Sequence, residues 1–505
     1  MSLVRSTLVV GVSAALSRIL GFARDLLLAQ LLGAGPVADA FLVAFRLPHL
    51  LRRVVAEGGL NPAFIPPYAR LKAKDPETAK RFAGEAFAGV AVVLAVVVAF
   101  VEIGAGFIVL ALAPGLDPET RELATAYTRL AFPLTAGVTL AALITAVLNA
   151  EGRVLATALA PLAVNAALIL SVLLLDWSDL ALERQAEWLS LAVSLSGLLH
   201  LSVVAVAASQ RLPIRWAWPR WTSDLGGLGR AILPTLAAAG AAQFFVLAGT
   251  IVASHQPSAV SWLYYADRIF QLPLGLVGSA AGAVFLGEIA SRLVAADRMS
   301  AVEAQNRAVE GALLLSLPAA AALAILSSPI VVVLLERGAF DAGDSTGTAQ
   351  ALLGLSVGLP FAAVGKVLSQ TIFAAGRVRG AILATLAGLL VTVLAALSLG
   401  AVLGVLGIGL GISAGVAVHM AALAIALQPL GLWATDRKLR SRATRTVAAT
   451  LVMVAGLMLA RSAPGLDDWI GLAALCVAGL ALYGAAVFVT GAVTREDVAA
   501  LRKKL

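Results

Sequence analysis

The sequence is poor in the residues on which soluble enzymes depend. Of 505 residues one is cysteine and four are histidine, aromatic residues make up 6% and charged residues 13%. A single thiol, Cys476, rules out an intrachain disulfide and a cysteine-based metal site; it sits inside an apolar run, where burial is expected. The histidines, His49, His200, His255 and His419, lack metal-ligand spacing and read as structural. No Walker A sequence is there to cradle ATP, so any transport work must draw on a gradient, the membrane potential or substrate supply. Charge is scarcest of all: soluble domains carry about 25% charged residues, and half that proportion excludes a soluble enzyme of ordinary composition.

What fills the chain instead is apolar. Sixty per cent of the residues are hydrophobic and the mean hydropathy is +0.94. Runs such as Ala86 to Pro114 cover the roughly 20 residues that a membrane-spanning helix needs, whereas a membrane barrel would show short alternating segments. The sequence therefore predicts an all-α polytopic membrane protein. Gly, Pro and charge clusters divide it into about fourteen spans, near 3–32, 37–68, 83–113, 122–149, 154–175, 187–209, 227–254, 259–290, 304–335, 346–374, 379–402, 406–433, 445–461 and 468–490. The first apolar stretch is interrupted by Arg18, Arg24 and Asp25, which argues for a retained helix over a signal peptide.

The net charge of +8 would suggest nucleic acid in a soluble domain, but here its placement reports orientation. Loops around 69–81, 151–154, 210–221, 291–307, 376–380 and 436–445 are basic, as is the C-terminal tail; those around 113–122, 176–188, 254–260, 336–347 and 461–469 are acidic or nearly uncharged. The positive-inside rule then places both termini in the cytoplasm. The Trp-containing linker 210–221 reads as a membrane-surface segment, and no nucleic-acid partner is expected.

A weak internal repeat sets the domain plan. Ala150-Glu151-Gly152-Arg153-Val154 recurs as Ala374-Ala375-Gly376-Arg377-Val378, and the segment from Pro36 resembles that from Pro257. Both copies start on the same side of the membrane, so they are parallel repeats of six helices, the plan of an alternating-access transporter. The expected divisions are a first lobe over 1–221, a second over 222–435, and two extra spans with a cytoplasmic tail over 436–505.

Several basic residues remain within the spans: Arg18, Arg24, Arg46, Arg52, Arg53, Arg268 and Lys366. A charge at a helix centre costs about 2.5–3.5 kcal/mol even on lenient scales, so such residues face a wet cavity or a partner. Acids accompany them: Asp25 beside Arg24, Asp267 beside Arg268, Asp39 at the outer end of the second span, and Glu57 one turn after Arg53. Arg53 and Glu57 read either as a self-neutralising i,i+4 pair or as functional groups. An excess of arginine over carboxylate predicts an anionic ligand, because guanidinium forks grip phosphate oxygens and stay charged. The run Glu57-Gly58-Gly59-Leu60-Asn61-Pro62 and Pro66-Pro67 interrupt the second span and make it deformable.

Three blocks of residues carry a family resemblance: SRILGFARD at 17–25, ADAFLVAFRLPHLLRRVVAEGGLNPAFIP at 38–66, and YYADR at 264–268. Together they resemble the MurJ (MviN) family of lipid II flippases, in the multidrug/oligosaccharidyl-lipid/polysaccharide exporter superfamily. The match is dense over the first 70 residues and moderate around 261–290. It implies fourteen helices, two six-helix lobes in a V-shaped arrangement, two C-terminal helices forming a lipid-accessible groove, and residence in the bacterial cytoplasmic (inner) membrane. It also implies transfer of lipid II, an undecaprenyl-diphosphate-linked peptidoglycan precursor, to the periplasmic leaflet. The functional residues it implies are Arg18, Arg24, Arg52 and Arg268 at the diphosphate, with Asp39, Arg53 and Glu57 as gate or switch residues. The sequence departs from the family at His49, where Asn usually follows Pro, and at Gly287-Glu288, where a Pro is expected. Sodium sites in parts of the family use acids of spans seven and eleven; residues 231–254 and 381–402 hold no carboxylate, so sodium coupling is not expected.

The expected function is thus a lipid II flippase, not an enzyme, with no cofactor and no metal. Its expected partners are lipid II, membrane lipids and cell-wall synthesis proteins, and its expected working form is a monomer. Within transport, the alternatives are an exporter of another lipid-linked oligosaccharide or a multidrug exporter, although drug cations would favour an acidic, aromatic cavity. A membrane enzyme acting on isoprenoid phosphates would need clustered Asp, His or Ser and a metal site, which the sequence lacks.

Overall fold

The computed structural model describes residues 3–53, 60–209, 226–227, 243–295, 297–461, 468–494 and 497, and among these every regular element is a helix. The expected boundary at 221/222 lies outside the described residues. One compact unit comprises residues up to Gln243 together with Arg337–Phe340; the other comprises Phe244–Glu336 and Asp341 onward.

The first unit holds α1 (Leu3–Leu32), α2 (Pro36–Leu51), α3 (Asn61–Lys74), α4 (Pro76–Leu112), α5 (Pro118–Ala131), α6 (Leu134–Ala150), α7 (Val154–Asp176) and α8 (Leu182–Ser209). Start signals set several boundaries. Asp75 caps α4 by accepting from the N–H groups of Glu77 and Thr78 at 3.1 and 3.0 Å, with Pro76 at the first helical position. That cap begins α4 seven residues earlier than hydropathy predicts, because a polar first turn adds nothing to an apolar run. Val96, Phe100, Ile103 and Phe107 are all well exposed along α4. Their i, i+4, i+7, i+11 spacing makes one apolar stripe, the signature of a lipid-facing helix surface.

The span expected at 122–149 is two helices. Phe132-Pro133 separates α5 from α6, since Pro133 has no N–H to continue the ladder. The helices α6 and α8 meet at Gly137 and Gly197, where a Cβ on Gly137 would lie 2.6 Å from the Gly197 carbonyl. Small residues permit this approach, as is usual between membrane helices.

The second unit holds α9 (Gln243–Ala253, from Phe244), α10 (Ala259–Val294), α11 (Arg298–Ile325), α12 (Ser327–Leu335), α13 (Ala342–Ser356), α14 (Leu359–Ala374), α15 (Val378–Leu427), α16 (Arg437–Arg461) and α17 (Trp469–Thr490). Here too expected spans break: α13 and α14 are bent by 47°. Within α15, Gly404 has φ 58° and ψ −142°, a conformation open to glycine, and it separates the two stretches predicted as separate spans. Among the described residues, eight helical stretches, with α5 and α6 together making one, are long and apolar enough to cross a membrane, or nine with the bent α13–α14 pair counted as one. The charge-bearing α1, α2 and α10 fall outside that set.

The repeat has a local counterpart. Gly152 and Gly376 both have positive φ, 73° and 70°. After each, the next N–H reaches back to close a helix end, Arg153 to Leu148 O at 2.8 Å and Arg377 to Ile372 O at 3.0 Å. Each is a glycine-terminated helix end followed at once by a new helix, at Val154 and Val378.

Cys476 corrects one expectation, for it is exposed on α17 alongside Val477 and Leu480. Hydropathy scores an apolar run alike whether it faces lipid or core, and this face is turned outward.

Toward the Arg298 end of α11 a charged network ties that helix to the start of α16 and to Asp497. Arg307 pairs with Glu310 and Asp436, and Arg442 reaches Glu310 at 3.4 Å and both Asp497 oxygens at 2.9 and 2.8 Å. Buried Gln305 and Asn306 donate to Leu432 O and Ala434 O at 3.0 and 2.9 Å, which holds the connection before α16. Burial alone would raise the Asp436 carboxyl, but the Leu439 N–H and the Arg307 guanidinium hold it below its ordinary value.

Candidate functional site

In the first unit the sequence-predicted arginines are built on α1 and on the end of α2. Arg24 is 7% exposed, and its Nε and Nη2 donate to Asp25 Oδ1 at 3.0 and 2.6 Å. From α7, Asn165 Oδ1 accepts from Arg24 Nη1 at 3.2 Å, and Asn165 Nδ2 donates back to Ser17 O at 3.1 Å. The Arg24 guanidinium also lies over the Phe45 ring, 5.6 Å from its centroid. One cation is thus held by a carboxylate, an amide and a π face, which between them offset the cost of keeping it out of water.

Arg52 and Arg53 follow α2 directly, where the chain takes a π-helical turn. Pro48 inside α2 removes one ladder hydrogen bond, and π turns occur often at functional positions. Arg52 Nη2 lies 3.3 Å from His49 Nδ1, and Arg53 Nη1 donates to Gln243 Oε1 at 3.2 Å. Asp39 is buried in the first turn of α2, where the helix dipole favours a carboxylate. Arg18 is exposed on α1. Glu57, Gly58 and Gly59 lie outside the described residues.

In the second unit Arg268 sits on α10, its Nη2 donating to Asp267 Oδ2 at 3.0 Å and its guanidinium 4.8 Å from the Tyr264 centroid. Gln271 Nε2 donates to the same Asp267 oxygen at 2.5 Å. Arg24 and Arg268 are therefore alike in design, each joined to an adjacent aspartate and each over an aromatic face. Lys366 is exposed on α14, and Arg46 is half-buried on α2.

Intramembrane charge pointed to these arginines from the sequence. It did not reveal Asn165, Ser17, Phe45 or Tyr264, which complete their surroundings. An Asn within the apolar run of α7 was the available signal, since a polar side chain there needs a partner.

Two all-helical units with outward apolar faces and cations folded into their helices define a polytopic membrane protein. A solved lipid II flippase MurJ in an inward closed conformation shares the fold, with a TM-score of 0.79, 22% identity, and coverage of 95% of this chain and 98% of that one. An inward-facing multidrug resistance MATE family transporter of the MOP superfamily matches with a TM-score of 0.68 and 16% identity, covering 86% of this chain and 96% of that one. The family model described as "Lipid II flippase MurJ" matches residues 28–466. The chain is 36% identical to a probable lipid II flippase MurJ of Rhizobium meliloti (strain 1021) over 509 residues, covering 97% of this chain and 94% of that protein. It is 30% identical to the lipid II flippase MurJ of Burkholderia cenocepacia over 467 residues, 91% and 90% of the two chains. The chain belongs to the MurJ family of lipid II flippases, multi-pass proteins of the bacterial inner membrane.

Proposed function

We propose that this chain moves lipid II from the cytoplasmic to the periplasmic leaflet by alternating access, with the diphosphate held by Arg18, Arg24, Arg52 and Arg268. The observation that carries this reading is the match, over nearly the full length of both chains, to relatives named as lipid II flippases. Alternating access draws support from a fold shared with transporters solved in inward-facing and outward-facing conformations. The arginine assignment draws support from chemistry: guanidinium forks match phosphate oxygens and hold their charge at any physiological pH. Asp39, Arg53 and Glu57 act as gate or switch residues in this reading. The working form is a monomer, and cell-wall synthesis proteins are its neighbours in the membrane.

Arg18 and Arg52 give the cleanest test. Cells depleted of their own lipid II flippase and supplied with this chain should grow. Arg18→Ala and Arg52→Ala should accumulate in the membrane normally and fail to support growth. Full growth with both variants would sink the arginine assignment.

Both termini face the cytoplasm in this reading, which thiol labelling checks. In a Cys476→Ala background, single cysteines replacing exposed Glu119, Asp179 and Ala342 should react with an impermeant reagent from outside, and those replacing exposed Lys74 and Arg440 should not. Asp344 is unsuitable because it is buried, closes a capping box with Asp341 and accepts from Trp262 Nε1 at 3.2 Å. Labelling at Lys74 from outside would reverse the topology.

The lack of carboxylates over residues 231–254 and 381–402 predicts sodium independence. Transport should be unchanged when sodium is replaced by potassium or choline at constant membrane potential. A specific sodium requirement would mean a site built from carbonyl and hydroxyl oxygens.

A further inference from the structure

The α2 helix carries an aromatic ladder on one face. Phe41, Phe45 and His49 stand four residues apart, so their side chains stack one turn above another. The Phe41 and Phe45 rings are 5.8 Å apart and inclined by 11°; Phe45 and the His49 imidazole are 5.4 Å apart and inclined by 21°. Both phenylalanines are almost fully buried, so the ladder is anchored from below. Each of its upper two rungs meets an arginine assigned to the substrate. Arg24 lies over Phe45, and Arg52 Nη2 is 3.3 Å from His49 Nδ1.

The His49 contact fixes its own chemistry. A guanidinium only donates, so in this contact Nδ1 accepts. The ring cannot pivot away without losing its stack on Phe45. The rungs that meet the two guanidinium groups are one helical turn apart, ~5.4 Å along the axis. We infer that His49 is a positioning residue: it aims Arg52 so that Arg24, reaching from α1 over Phe45, and Arg52, held at His49, lie against successive rungs of the α2 ladder, one for each phosphoryl group, and so selects a polyprenyl diphosphate over a monophosphate. This rests on the reading of Arg24 and Arg52 as diphosphate ligands, and adds a residue and a specificity that the reading alone does not contain.

The test is competition by polyprenyl diphosphate and polyprenyl monophosphate against labelled lipid II bound to the full chain in nanodiscs. His49→Phe keeps the stack and removes the acceptor. It should weaken the diphosphate about tenfold, as expected for one lost charge-assisted hydrogen bond, while changing the monophosphate less than about twofold. His49→Gln restores an acceptor and should recover most of the diphosphate preference. A residue that served only packing would move both competitors together and would be rescued by Phe, not Gln. Should His49→Phe fail to accumulate, Phe45→Leu tests the same ladder from the rung below, with the same loss of preference expected. An unchanged diphosphate-to-monophosphate ratio in the accumulating variant overturns the inference. The control is Arg52→Lys: if it leaves that ratio unchanged, the arginine reading itself has failed, whereas a shift there with none at His49 refutes the positioning role alone.

Discussion

Arg24→Ala should cause the largest loss of any single change, and the loss should have two separable parts. Removing the guanidinium takes from Asp25, 5% exposed, the adjacent cation that donates to it at 2.6 and 3.0 Å. Breaking a buried pair from one side costs about 3–5 kcal/mol, so membrane abundance should fall. Adding Asp25→Asn removes the stranded charge and should restore abundance. It should not restore transport, because the cation assigned to the diphosphate is still missing. Quantitative membrane blots beside growth of depleted cells separate the two parts. If the double variant recovered both abundance and growth, Arg24 would be a structural residue only.

The second large effect lies far along the chain from the arginines of α1 and α2. Glu310, its side chain 9% exposed, accepts from Arg307 and Arg442, and these in turn hold Asp436 and Asp497. Glu310→Ala leaves Arg307 and Arg442 close together with only the partly exposed Asp436 and Asp497 as acid partners and should cost about 1–3 kcal/mol, the scale for a lost acceptor of charge-assisted hydrogen bonds. Thermal unfolding of the purified protein should move down by several degrees. By contrast Arg184→Ala removes a pair whose side chains are 66% and 42% exposed and should change stability by no more than about 1 kcal/mol. Equal stability of Glu310→Ala and Arg184→Ala would show that the network does not tie α11 to α16.

The helices were legible where the apolar run and its end signals coincide. The run predicted at 3–32 is α1, and the one at 154–175 is α7 to within a residue. Breaks that cost no hydropathy were not legible: Phe132-Pro133 parts α5 from α6 inside one stretch, Pro118–Ala150, that is long and apolar enough to cross a membrane, and Leu326 parts α11 from α12. The outward face of Cys476 was hidden for a related reason, since lipid and core select the same side chains. For the site, arginines stood out because a charge within an apolar run is costly and therefore informative. Their partners did not, because Phe45 and Tyr264 look like ordinary apolar residues, and Asn165 reaches Arg24 across 141 residues of chain. In the sequence His49 has the look of a structural histidine, and only the geometry of α2 reveals its contact with Arg52.

The central claim is that this chain carries lipid II across the membrane through cationic recognition of its diphosphate. It is tested most directly by a leaflet-specific assay of lipid II in cells depleted of their own flippase. With this chain expressed, lipid II should be accessible at the outer leaflet. With Arg52→Ala at equal membrane abundance, it should accumulate in the inner leaflet while its total amount is maintained or rises. Failure of the unmodified chain to expose lipid II, or exposure by Arg52→Ala equal to that by the unmodified chain, would contradict the account.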